Sequence, residues 1–127
     1  SSISQIAAIE ALNGPQDAVA EMRVAFDERR CYMVERLNAI EGVECVLPQG
    51  AFYAYPDVSA YYGRTVDGRE IADSVSLCEY LLEEGRVACV PGAGFGTHEH
   101  MRLSYATALE NIEKAMDRLS DAMGRLE

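Results

Sequence analysis

The chain has 127 residues, 49% hydrophobic and 25% charged, with 11 Lys and Arg against 21 Asp and Glu for a formal net charge of −10. That is a globular composition at single-domain length, able to bury roughly two-thirds of its unfolded surface without disulfides or a metal. The acidic balance argues against nucleic acid and anionic membranes as partners, because both need a basic footprint, but it permits a small anion held by local arginines.

Residues Ser1–Leu12 place Ile3, Ile6, Ala7 and Leu12 at near-helical spacing, and Asn13-Gly14-Pro15 stops that pattern. A long helix is predicted from about Pro15 to Ile40 with a stripe of Val19, Met22, Phe26, Met33, Leu37 and Ile40, interrupted near its middle by Arg30. Two strands follow, Glu44–Leu47 and Ala51–Tyr55, with Pro48-Gln49-Gly50 read as the hairpin turn between them. The stretch from Pro56 to Asp73 reads as irregular. A helix from Ser74 to Glu84 is expected next, with Asp73 as its N-cap and Val75, Cys78, Leu81 and Leu82 facing inward. Val87–Val90 and Met101–Tyr105 are the last predicted strands, and a helix from Leu109 to Leu126 closes the chain with Leu109, Ile112, Met116, Leu119, Met123 and Leu126 on one stripe.

The expected fold class is α+β, a two-layer packing of helices on one face of a small, mainly antiparallel sheet in the order ααββαββα. No cover for the second sheet face is evident within the chain. Together with a start at Ser1, directly in a helical pattern, this suggests a piece of something longer.

Arg102 is the leading candidate for chemistry. Alternation along Met101–Tyr105 puts Met101, Leu103 and Tyr105 on one face and Arg102 and Ser104 on the other, so Arg102 projects from the uncovered side. A planar guanidinium fixed on a strand can grip a carboxylate through two parallel hydrogen bonds, although a solvated strand arginine fits the pattern too. Phe52 reads as a core aromatic. Pro91–Gly96 is glycine-rich, but a strand rather than a helix follows it, so it reads as a tight loop permitting close backbone approach and not as a phosphate cradle. His98 and His100 flank Glu99 without a third convergent ligand, and no metal is expected. Cys31, Cys45, Cys78 and Cys89 form no C-x-x-C pair and read as buried free thiols of a cytoplasmic protein; there is no signal segment and no run of ~20 apolar residues. The one lysine, Lys114, lies nearly opposite the stripe of the final helix and reads as a surface residue.

In order, Ser1–Gly14, Phe26-Asp27-Glu28-Arg29-Arg30, Gly50-Ala51-Phe52-Tyr53, Tyr80-Leu81-Leu82-Glu83-Glu84, Val90–Gly96 and Arg102–Thr107 resemble the C-terminal part of class I, fold type I aminotransferases that use pyridoxal phosphate. Gly63–Leu82 looks most like the aspartate or prephenate branch. The resemblance implies that residues 1–127 are the C-terminal small domain, and that the large coenzyme-binding domain is absent. It implies that Arg102 binds the substrate α-carboxylate and that Phe52 lines the entrance to the coenzyme pocket. The reactive lysine and the remaining coenzyme contacts would lie in the large domain, so no catalytic or cofactor-binding residue is expected here. The implied whole is a homodimeric transaminase moving an amino group between an amino acid, such as aspartate, and a 2-oxo acid. Two other readings compete: a stand-alone small-molecule-binding regulatory domain, and a non-catalytic dimerisation module.

Overall fold

A computed structural model describes residues 1–127. Two helices open the chain, α1 (Ser2–Asn13) and α2 (Asp17–Asn38). They are followed by β1 (Tyr53–Ala54), a hairpin of β2 (Thr65–Val66) and β3 (Arg69–Glu70), α3 (Ser74–Glu83), β4 (Val90–Pro91), β5 (Met101–Ser104) and α4 (Leu109–Met123). No helix is long and apolar enough to cross a membrane.

The main sheet has three antiparallel strands in the order β1-β5-β4. Its register sets Tyr53 opposite Ser104, Ala54 opposite Leu103, Val90 opposite Arg102 and Pro91 opposite Met101. Ala54, Met101 and Leu103 therefore share the face buried against the helices, while Tyr53, Val90, Arg102 and Ser104 share a face that the chain leaves uncovered. The core is one cluster in which Leu37 of α2, Leu77 and Leu81 of α3, and Ile112, Met116 and Leu119 of α4 are nearly or fully buried. Burying each such side chain stabilises the fold by about 1.5–3 kcal/mol. The Tyr80 hydroxyl, itself buried, donates to the Ala122 carbonyl (2.9 Å) and so satisfies a polar group inside the core.

The mixed helix-and-antiparallel-sheet class is as expected, but several elements differ. Glu44–Leu47 is not a strand, and Pro48-Gln49-Gly50 turns no hairpin: only Glu44 bridges, to Asp57, and Val46 is 87% exposed. The cause is Asn38, whose side chain accepts from the Cys45 N–H (2.7 Å) and donates to the Cys45 carbonyl (2.9 Å), occupying the groups a ladder would use. β1 pairs instead with β5. The Pro56–Asp73 stretch is partly regular, because Asp67 (φ 50°) and Gly68 (φ 80°) form the left-handed pair that a two-residue hairpin turn requires. In α3, Asp73 caps as expected by accepting from the Val75 and Ser76 N–H groups (3.0 and 2.8 Å). The buried stripe there is Ser74, Leu77, Cys78 and Leu81; Val75 and Leu82 each stand one residue off it and are exposed.

The stripe of α2 is only half used. Met33, Val34 and Leu37 are buried, whereas Val19 and Met22 stay exposed and α1 buries nothing. Arg30 marks the change, with its guanidinium bonded to Asp27 (2.6 Å) and to the Pro48 carbonyl (3.0 Å): before it only Phe26 packs against the core, half-buried and edge-on to Tyr105, and the fully buried residues of the helix all follow it. Two of the four thiols also differ from expectation, while Cys45 and Cys78 are buried as expected. Cys31 is exposed and Cys89 half-buried, while burial pushes the Cys45 thiol up.

Candidate functional site

β5 carries Arg102 outward because Met101 and Leu103 on either side of it are locked into the core. The guanidinium carbon lies 4.3 Å from the centre of the Tyr53 ring and 4.6 Å from that of Phe95. The four ion pairs of the chain involve Arg30, Arg36 and Arg69, and none involves Arg102. The two rings thus flank the guanidinium carbon, and no carboxylate of the chain is paired with the group.

The aromatic row extends in both directions. Phe52 lies 4.4 Å from Tyr53. Phe95 meets Tyr55 edge-on at 6.3 Å, and Tyr55 stacks on His100 at 5.0 Å with an interplanar angle of 12°. The Tyr55 and Thr97 hydroxyls are hydrogen-bonded, anchoring the Gly92–Phe95 turn from its far side. Gly92 itself donates to the His100 carbonyl (2.8 Å), and a Cβ there would collide with the carbonyls of Thr97 and His100. Of the run, Gly92 alone serves close backbone approach; a Cβ on Gly94 would meet open space, and Gly96 is the residue that turns left-handed (φ 82°).

Phe52 is 42% exposed, so it is no core aromatic. Ala51 before it takes a left-handed conformation (φ 61°) and its carbonyl accepts from the Tyr105 hydroxyl (3.1 Å), while the Phe52 carbonyl accepts from the Tyr105 N–H (3.0 Å). Held in this way, Phe52 stands where the Arg102 frame meets an apolar groove formed with Val19, Met22 and Phe26. The Tyr53 ring meets both the Arg102 guanidinium and the Phe52 ring. Sequence reasoning passed over Tyr53 and Phe95. What Tyr53 meets across the sheet depends on the β1–β5 pairing.

The family model for aminotransferase class I and II matches residues 1–119. The chain belongs to this family. It is 44% identical over 127 residues to an aspartate aminotransferase of Rhizobium meliloti, covering 99% of this chain and 31% of that protein. It is 48% identical over 119 residues to the aspartate/prephenate aminotransferase of Cereibacter sphaeroides, covering 93% and 30% respectively. The crystal structure of the Rhizobium meliloti aspartate aminotransferase superposes with a TM-score of 0.95 at 42% identity, over 100% of this chain and 32% of the other. The chain thus spans about a third of the length of the relatives it matches.

Membership implies pyridoxal phosphate as the coenzyme of a complete enzyme. The donors of this chain do not fit it. Covalent attachment needs a lysine sheltered enough to be deprotonated, and the one lysine, Lys114, is exposed on α4 in a cleft whose lining includes neither Arg102 nor Phe52.

Proposed function

We propose that this chain is the C-terminal small domain of a pyridoxal-phosphate-dependent transaminase of the aspartate or prephenate type, and that it supplies the arginine that grips the α-carboxylate of the substrate. The observation that carries the reading is the unpaired Arg102 guanidinium, framed by Tyr53 and Phe95 on the uncovered sheet face. An amino-acid donor and a 2-oxo-acid acceptor share that carboxylate, so one clamp serves both half-reactions. Phe52 would wall the mouth of the coenzyme pocket. The large domain would bring the coenzyme, which acts as the electron sink, and would close over the uncovered face. A cytoplasmic homodimer is the assembly that the reading implies. A stand-alone regulatory domain and a dimerisation module are not favoured, since family membership and the free guanidinium both suit a substrate site.

The test is Arg102→Ala in the complete enzyme. Removing one partner of a desolvated ion pair costs roughly 2–5 kcal/mol, or about 30-fold to several-thousand-fold in kcat/KM. Arg102→Lys should recover only part of this, because an ammonium cannot reproduce the planar fork. An amine without a carboxylate should react equally poorly with wild type and variant. Equal slowing of that amine by Arg102→Ala, or intact aspartate turnover, would return Arg102 to a structural role.

A further inference from the structure

On the flank of the molecule, Arg86, Lys114 and Arg118 line a single cleft of about 250 Å³. Three of the eleven cationic side chains thus share one concavity, and no carboxylate lines it, although the chain carries 21 Asp and Glu. None of the three takes part in an ion pair, unlike Arg30, Arg36 and Arg69. Ser104, Thr107 and Asn111 add neutral polar groups to the same wall. The Asn111 side chain donates to the Thr107 hydroxyl oxygen (3.1 Å), which leaves the Thr107 hydroxyl hydrogen free to point elsewhere.

The backbone accounts for the place of Arg86 in the cleft. α3 ends with the Val87 N–H on the Leu81 carbonyl (3.0 Å), and the residue that turns left-handed there is Arg86, at φ 55°. Glycine is the residue suited to that conformation, and any other side chain adopts it at a cost. Gly85 stands next door but is needed for a different reason, since a Cβ on it would lie 2.8 Å from the Leu81 carbonyl oxygen. An arginine therefore occupies a position that favours glycine, and it is one of the three cations of the cleft. The left-handed conformation is that of a residue closing a helix, and it sets Arg86 in the lining of the cleft beside Val87.

We propose that this cleft binds a compact oxyanion carrying at least two negative charges, separately from the carboxylate site at Arg102. Three unpaired cations within one cavity attract such an ion against the net charge of the chain, and a monocarboxylate offers too little charge to engage them together.

Inorganic pyrophosphate and citrate, compared with acetate at constant ionic strength, provide the test by calorimetry and by mapping amide shifts. Saturable binding of pyrophosphate, citrate or both is expected, with shifts confined to the cleft lining, Arg86–Ala88, Leu103–Thr107 and Asn111–Arg118; which probe binds tells phosphate-type from polycarboxylate ligands. Lys114→Gln and Arg118→Gln should each weaken binding about ten-fold. Arg86→Gly should weaken it similarly while raising the melting temperature of the free chain, a combination that a purely structural arginine would not give. Arg102→Ala should leave this binding in place, which separates it from the clamp proposed above. Binding no stronger than that of acetate, insensitivity to all three cleft substitutions, or loss through Arg102→Ala alone would overturn the proposal.

Discussion

Arg102 stacks on Tyr53 across the β1–β5 pair, its guanidinium carbon 4.3 Å from the ring centre. Phe95 closes the other side at 4.6 Å. A contact of this kind contributes about 0.5–2 kcal/mol. Tyr53→Leu or Phe95→Leu in the complete enzyme should therefore raise KM for amino-acid substrates by about 2- to 30-fold while kcat falls less. Tyr53→Phe should retain the effect of the ring. If a carboxylate-free amine were slowed as much as aspartate, the rings would be supporting the sheet and not the arginine.

The final helix should dominate stability. Leu119 is fully buried between α4 and the rest of the core, so Leu119→Ala is expected to cost about 2–5 kcal/mol in urea unfolding. Lys114→Ala, on the exposed side of the same helix, should stay within about 0.5 kcal/mol. Comparable losses for the two would mean that α4 is not seated as described.

Asp73 links stability to acidity. Hydrogen bonds from the Ser76 N–H, the Ser76 hydroxyl and the Val75 N–H hold its carboxyl below the usual range. A lowered folded value means that the stabilisation is complete above the unfolded pKa of about 3.9 and is lost as pH falls through the folded value. Asp73→Ala should cost about 0.5–2 kcal/mol at pH 7. The gap between variant and wild type should close as the pH is lowered below about 3.9. Denaturant titrations at pH 7 and at pH 3 check this; a gap unchanged at pH 3 would show that the cap is not ionic.

The opening helices should make the isolated chain self-associate. Ile3 (80% exposed), Ile6 (69%) and Leu12 (81%) project from α1 with no cover, and Val19, Met22 and Phe52 continue the apolar surface. Contiguous apolar patches beyond about 400 Å² promote association. Sedimentation should show mass rising with concentration, and the paired substitution Ile3→Ser with Ile6→Ser should reduce it. A clean monomer at high concentration would count against a missing partner for this surface.

Local signals in the sequence translated well into structure. The stripe Ile112, Met116, Leu119 and Met123 is the buried face of α4, the alternation around Arg102 gave its outward direction, and Asp73 caps α3. Each depends on residues a few positions apart. What was not legible depends on distant partners. The β-rich run Glu44–Leu47 offers a strand pattern, but Asn38 claims its backbone. Tyr53 and Phe95 reach Arg102 only through pairing that no spacing rule reveals. The Asp67-Gly68 hairpin is the exception, a local signal that was present and overlooked.

Arg102 and the first ring of its frame are also separated in time. Tyr53 precedes Arg102 by forty-nine residues, and at about 5–20 residues per second a ribosome needs roughly 2–10 s to travel that distance. During that interval the ring of Tyr53 and its neighbour Phe52 have emerged without the strand that will hold them, and β1 has no partner with which to pair. The sheet face that carries Arg102 is therefore among the last parts of this chain to take shape during synthesis. A pause between the codons for Tyr53 and Arg102 would lengthen the exposure of the aromatic row without changing a single residue of the finished protein.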